Sequence, residues 1–420
     1  MKEEYAVHRM RVHAVWATAL LFLVSARGDS KSQLVPSSER TPSIFFSMHI
    51  HNAATTTPWP SVPIGGWRLW DARVSWPQLE PKRGQWSFEL LDRYLSLAEE
   101  HNTEVLLPLG LSPQWASSRP LEHSVYQAGN AAEPTNASDW QTYVTAVVTH
   151  CRGRIRAYEI WNEPNNTGFW TGNVAQMVTL TREASEIIHK IDPTALVVSP
   201  AATTSSGLPW LTQFLNMGGG KYIDVIAFHF YVAPQPPEAM VPLIQKVQQI
   251  MRDNGVSDKP LWNTESGWQL PKPFPSEYLG AAFLARAFIL NWAAGVSRFY
   301  WYAWDNHAWA SIQTTEADNR TMTPAGKAYG VVEKWLAGAE VSNCDEQEDH
   351  TWVCRLTRNG VPAWILWNPT ETVTEKRSYL FPQAWNDKSV TPLLSEPRAL
   401  SGPGIEVGQS PELVTSSAAP

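Results

Sequence analysis

The sequence predicts an α/β chain: a (β/α)8 TIM barrel followed by a small C-terminal antiparallel β domain. Three observations carry that prediction. From about Ser43 to about residue 337, β-rich runs alternate with amphipathic helical patterns. No glycine-rich phosphate turn follows the first strand, which counts against an open doubly wound sheet. Beyond the helical run Ala325–Leu336 the pattern shortens to alternating runs at Trp352–Thr357, Ala363–Trp367 and Arg377–Phe381, with turns at Arg358–Val361 and Asn368–Thr370.

Taken in order, the chain opens like a secretion signal. Lys2, Arg9 and Arg11 precede an apolar run from Ala14 to Val24, and Val24-Ser25-Ala26 offers small residues for cleavage. That run is too short for a comfortable membrane span. The expected division is a signal peptide at 1–26, a polar linker at 27–42, the barrel at 43–337, a β-sandwich-like domain at 338–410 and a disordered tail at 411–420. Eight strands are expected at Ile44–His51, Trp67–Val74, Glu104–Leu109, Ile155–Trp161, Ala195–Ser199, Asp224–Tyr231, Pro260–Asn263 and Arg298–Trp304. Helical periodicity lies between them. In Phe88–His101, Leu90, Leu91, Tyr94, Leu95 and Ala98 form one apolar stripe. Trp140–His150, Val174–Ile191, Ala239–Asn254 and Tyr278–Ala294 behave alike, and a short helix is allowed at Pro209–Met217.

Composition narrows the functional classes. The 420 residues are 43 % hydrophobic and 17 % charged, which suits a large core. A net charge of −7 gives no electrostatic case for nucleic acid or an anionic membrane. Twenty-two tryptophans exceed the usual share, and flat apolar faces suit sugar rings as well as cores. Cys344 and Cys354 bracket a hairpin and are placed to bridge in an oxidising compartment, whereas Cys151 reads as a small core residue.

In a barrel the chemistry lies at the C-terminal strand ends. Strand four ends in "YEIWNEPN", where Pro164 blocks further ladder pairing and leaves Asn162 and Glu163 at the edge. Strand seven ends in Asn263 and Glu265, with Trp268 beyond. Two carboxylates facing one cavity are what acid/base and nucleophilic work on a glycosidic bond requires. Glu163 needs a raised pKa to arrive protonated, and Glu265 needs to stay ionised, held by Arg68 or the Tyr231 hydroxyl. The remaining strand ends offer His49 and His51, Arg68 with Trp70 and Asp71, Trp115, His229, and Trp301 with Trp304 and Asp305. No cofactor is called for.

Three segments together resemble the retaining glycoside hydrolases of clan A, above all glycoside hydrolase family 39 and its cellulase-like relatives. They are "RLWDARVSWPQLEPKRGQWSFELLDRYLSLAEEH" from Arg68, "YEIWNEPN" from Tyr158 and "PLWNTESGW" from Pro260; "DVIAFHFY" from Asp224 fits strand six. The resemblance implies an enzyme acting on β-linked oligosaccharide or polysaccharide, and the signal-like start implies that it is secreted. The resemblance also implies Glu163 as acid/base, Glu265 as nucleophile and Asn162 as the amide that grips a sugar hydroxyl. His229 and Tyr231 would line the subsite, Trp301 or Trp304 would form its aromatic floor, and Arg68 (with Arg73 as its competitor), His49 or His51, and Trp115 are further contact candidates. Two other readings compete. A carbohydrate-binding pseudoenzyme would keep the cleft without turnover. A metal-dependent barrel hydrolase would use His49 and His51 with His229 and Asp305, but no His ends strand five ("VVSPAAT") and no Lys ends strand four, so no metal is expected.

Overall fold

The computed structural model describes residues 32–34, 39–370, 376–381, 388–400 and 402–416. The proposed signal segment lies outside them. Eight parallel strands form the barrel: β1 (Phe46–Met48), β2 (Gly66–Arg68), β3 (Glu104–Leu109), β4 (Ala157–Ile160), β5 (Leu196–Val198), β6 (Ile226–His229), β7 (Leu261–Ser266) and β8 (Val296–Trp301). The ladders run β5-β4-β3-β2-β1-β8-β7-β6. The ring closes where Val198 bridges Val225, with Ser199 N–H donating to the Val225 carbonyl at 3.0 Å. Pro200 interrupts strand five there, and the chain resumes pairing with β6 at Ala202–Thr203.

Besides a single turn at Trp76–Leu79, the described residues form seven longer helices: α1 (Glu89–Glu100), α2 (Ala137–His150), α3 (Val174–Ile191), α4 (Leu208–Asn216), α5 (Met240–Asp253), α6 (Glu277–Ala293) and α7 (Pro324–Leu336). Of the stripe foreseen for α1, Leu91, Tyr94, Leu95 and Ala98 are buried and face inward, while Leu90 is half-buried at its edge. α3 opens with a reciprocal capping box between Asn173 and Gln176. The first crossover departs from the expected alternation: residues 49–65 form a loop, with no helix among them. Asp305, at the end of β8, anchors that loop by accepting from His51 N–H (2.8 Å), Asn52 N–H (2.9 Å) and the Thr57 hydroxyl (2.6 Å).

Strand parity decides which side chains meet in the barrel. Leu106, Ala157, Val198, Ala227, Trp262 and Tyr300 fill the interior. Their neighbours Leu107, Tyr158, Val197, Phe228, Leu261 and Phe299 pack outward against the helices. One irregularity matters for function. Asn263 pairs with Phe299 and Ser266 with Trp301, so Thr264 and Glu265 together oppose Tyr300 alone. This bulge turns two successive side chains inward, and strict alternation would have sent Glu265 toward the helices.

The C-terminal region forms a second layer. β9 (Glu340–Glu346), β10 (Trp352–Arg358), β11 (Val361–Trp367), β13 (Lys388–Pro392), β14 (Arg398–Leu400) and β16 (Glu412–Ser416) make an antiparallel sheet. A pair, β12 (Arg377–Leu380) with β15 (Gly404–Val407), packs on one face through Phe381, Ile405 and Val407. The other face meets α6, which is therefore buried all round from Gly280 to Ala293. Cys344 and Cys354 sit opposite each other on β9 and β10 and form a disulfide. Two sequence boundaries need correction. Ser32–Leu34, expected in the linker, adds a strand to β9. Glu412–Ser416, expected in the disordered tail, lies between β11 and β13 with both edges paired.

Candidate active site

The polar layer at the strand ends is built on Arg68. Its side chain is fully buried and fans out to three partners. Nε donates to Glu159 (2.6 Å), one terminal nitrogen to Glu265 Oε2 (2.7 Å) and the other to Asn162 Oδ1 (2.8 Å). Glu159 also accepts from the Thr264 hydroxyl at 2.6 Å. Burial works against the guanidinium charge, but Glu159 and Glu265 outweigh it and hold the Arg68 pKa above its usual value. A buried cluster of this kind costs desolvation energy that an apolar core would not, so stability alone does not account for it.

Glu163 and Glu265 are 8 % and 7 % exposed, and both line one open cleft of about 890 Å³. The backbone at the first is unusual: Trp161 and Glu163 hold φ of 66° and 42°. Such conformations cost on the order of 1–3 kcal/mol each and persist only when the surroundings over-determine them. Here Trp161 N–H bonds the Leu109 carbonyl (2.7 Å) and Glu163 N–H bonds the Ala201 carbonyl (2.9 Å), which ties the turn to both neighbouring strands. Glu163 Oε1 lies 2.9 Å from His229 Nδ1. Glu265 Oε1 accepts from the Tyr231 hydroxyl at 2.9 Å. One ligating atom from each of Glu163, His229 and Glu265 lies within 4.8 Å of the other two.

Burial pushes both carboxyls up to about 7. Arg68 and Tyr231, the two groups expected to hold Glu265 ionised, both bond it, and desolvation works against them. Two carboxyls this close share one proton near neutrality. Arg68 touches Glu265 and not Glu163, so the charge rests on Glu265 and the proton on Glu163. Burial lowers His229 to about 4, which leaves its imidazole neutral beside that acid.

A stability consequence follows. Glu163 has an unfolded value of 4.5 and a folded value of about 7. Between these the native state binds more protons than the unfolded chain, so stability falls as pH rises through the window. For one carboxyl moved this far the loss is on the order of 3 kcal/mol. Glu163→Gln cannot ionise. Its melting temperature should match the wild type below the window and exceed it by a few degrees above. Calorimetric melting curves across that range check this, and a gap independent of pH would contradict it.

The remaining predicted residues divide. Asn162, Arg68, His229 and Tyr231 surround the two carboxyls. His49 lies beneath them, fully buried, with Nε2 3.0 Å from the Thr264 carbonyl. Trp301, Trp304 and Trp115 do not line the cleft. Trp301 shares the outward parity of Phe299 and packs its ring 5.8 Å from Trp268. Trp304 is 2 % exposed in the core. Trp115 packs beside Trp76 on the outer side, donates to the Glu80 carbonyl at 3.1 Å and lies under Arg83. The aromatic walls come instead from Tyr231, Tyr302 and Trp309 on one side and Trp70, Tyr126 and Phe169 on the other. Gly267 allows Tyr302 its place, because a Cβ there would stand 2.2 Å from the Tyr302 carbonyl oxygen. The four residues of the metal reading do not converge. Asp305 holds a loop, His229 faces Glu163, and the His49 and His51 rings stand edge to face at 6.2 Å.

Comparison with known proteins gives this geometry a setting. The chain is 27 % identical over 225 residues to a β-xylosidase of Geobacillus stearothermophilus, a match covering 47 % of this chain and 44 % of that protein. The matched span is thus less than half the length of that curated relative. Among solved structures, a family 39 glycoside hydrolase from Bacteroides cellulosilyticus superposes with a TM-score of 0.73 at 16 % identity, covering 90 % of this chain and 81 % of that one. A family 39 β-xylosidase from Caulobacter crescentus gives 0.64 at 17 % identity, over 92 % and 98 % of the two chains. These two likenesses show the shared fold. The pattern that defines glycosyl hydrolases family 39 matches residues 61–303, more than half of the sequence. The chain belongs to glycosyl hydrolases family 39.

Proposed function

We propose that the protein hydrolyses β-linked glycosides with retention of configuration, Glu265 acting as nucleophile and Glu163 as acid/base. The observation that carries this is the pairing of the two carboxyls: oxygens within 4.8 Å, one held by Arg68 and the other beside a neutral imidazole. Retaining enzymes hold their pair about 5–5.5 Å apart, whereas inverting ones leave roughly 6.5–9.5 Å for a water. In the first step a Glu265 oxygen attacks the anomeric carbon while the glycosidic bond breaks and the leaving oxygen takes the Glu163 proton. In the second, water gives a proton to Glu163 and attacks the same carbon, the ester bond breaks and Glu265 leaves as carboxylate. Asn162 Nδ2, buried and without a partner, is poised to donate to a sugar hydroxyl.

The Geobacillus relative's name makes aryl β-xyloside the first substrate to try. Proton NMR of the first-formed sugar tests the mechanism: the β anomer should appear before mutarotation, and the α anomer appearing first would reject it. We also propose that the protein works outside the reducing cytosol. The Cys344–Cys354 disulfide and the signal-like start support this.

A further inference from the structure

A third carboxylate stands in the cleft, and the acid/base pair does not use it. Asp71 follows β2 with φ of 57°, a conformation that turns its side chain out of the strand's parity. Its two oxygens are each held by one phenol, Oδ1 by the Tyr126 hydroxyl and Oδ2 by the Tyr302 hydroxyl at 2.6 Å. Asn306 Nδ2 in turn donates to Tyr302 at 2.8 Å. This chain spans the cleft from one aromatic wall to the other. A carboxylate offers about four acceptor positions, so each oxygen keeps capacity for another donor.

The residues lining the cleft carry one sign of charge, and the cation nearest Asp71 in sequence, exposed Arg73, lines the adjoining hollow that Trp70, Asp71 and Tyr126 share with it. Among the described residues that line the cleft there is no Lys, Arg or His, while Asp71, Glu163 and Glu265 all do. Arg68, the cation beneath, is fully buried and already bonded to Glu159, Glu265 and Asn162. At the rim, Lys272 donates to the Ala308 carbonyl, and Arg119 is paired with Glu133 at 2.8 Å. With one proton on the acid pair the cleft still carries net negative charge. A further unpartnered polar atom, Gln269 Oε1, belongs to the same walls. A sugar's hydroxyl would satisfy it.

We propose that Asp71 is a specificity-determining residue that acts as a charge filter. It accepts two O–H or N–H donors from the bound sugar, so the cleft takes uncharged or amine-bearing sugars and excludes uronides, whose carboxylate would face three acids with no cation among the described residues that line the cleft. The inference rests on the sugar-binding reading of the cleft but not on turnover.

The test uses the full-length Glu163→Gln protein, which keeps the Asp71 and Glu265 side chains in place and leaves bound oligosaccharide uncut. Calorimetry in slightly acidic buffer compares a cello-oligosaccharide, a chitosan oligomer and an oligogalacturonide. The chitosan oligomer should bind at least as tightly as the neutral one, and the uronide at least about tenfold more weakly, a difference of about 1.4 kcal/mol. Adding Asp71→Asn should shrink the uronide penalty several-fold and remove any advantage of the amine. Adding Tyr126→Phe instead keeps the charge and should keep the order of affinities, which separates a charge effect from local disruption. Equal binding of uronide and neutral oligomer overturns the proposal. So do an unchanged order after Asp71→Asn and failure of both the neutral and the amine-bearing oligomer to bind. Binding in the predicted order by a wild type that hydrolyses nothing would sink the enzymatic reading alone, whereas hydrolysis of uronides with retention would sink only this one.

Discussion

Glu265→Gln should abolish turnover while sugar binding survives. The loss in kcat is expected to be at least about 10³-fold, roughly 4 kcal/mol of transition-state stabilisation. The Gln carbonyl can still accept from Arg68 or Tyr231, which hold the carboxylate at 2.7 and 2.9 Å, so the pocket keeps its shape. What disappears is the anionic oxygen proposed to form the ester. Calorimetric binding to the variant and its rate on an aryl β-glycoside would be measured together. Loss of turnover with binding kept supports covalent catalysis and argues against a pure binding module, for which the substitution would be silent in any rate assay. Glu265→Ala sharpens the result: azide can fill the vacated space and attack the anomeric carbon directly, giving a glycosyl azide of inverted configuration. Unchanged kcat in Glu265→Gln would remove Glu265 from the reaction.

How far the sequence reveals this arrangement depends on which force fixes each residue. Glu163 is legible because Pro164 ends the ladder and leaves a polar cluster at a strand edge. Glu265 is less so by pattern alone. Counting by twos from Trp262 sends it outward, and only the bulge opposite Tyr300 reverses that. Its selection from sequence rested on its place at the end of strand seven beside Trp268, with the resemblance of "PLWNTESGW" added to that, and not on alternation. The aromatic floor shows the opposite error. Tryptophan identity drew attention to Trp301 and Trp304, yet parity from the inward Tyr300 points to Tyr302, which is the residue that lines the cleft. That signal was present in the strand. Tyr126, Phe169 and Trp309 come from loops, where no periodicity links a side chain to a direction. Glu412–Ser416 is polar enough to pass for a tail, and its strand character comes from two partners far off in sequence.

Removing the acid should leave a different signature from removing the nucleophile. In Glu163→Ala the proton donor is lost, and general acid/base catalysis of this kind is worth roughly 10²–10⁴-fold. The full loss is expected for a substrate whose leaving group must be protonated, such as an unactivated disaccharide. A dinitrophenyl glycoside needs no proton, so Glu265 still forms the ester at near the wild-type rate. The ester then accumulates, because no base remains to deprotonate water. The expected kinetics are a burst of dinitrophenol followed by slow turnover, with kcat and KM both lowered. Azide, which needs no base, should restore the rate and give a glycosyl azide of retained configuration. The pH profile supplies a further check. With both carboxyls raised to about 7, the wild type should show a bell in kcat/KM. Its acid limb is a second proton reaching the pair, and its alkaline limb is loss of the last. Glu163→Ala should lose the alkaline limb and keep an acid limb at lower pH, because Glu265 then titrates without a neighbouring carboxylate to raise it. An alkaline limb that persists in the variant would assign the proton to a group other than Glu163.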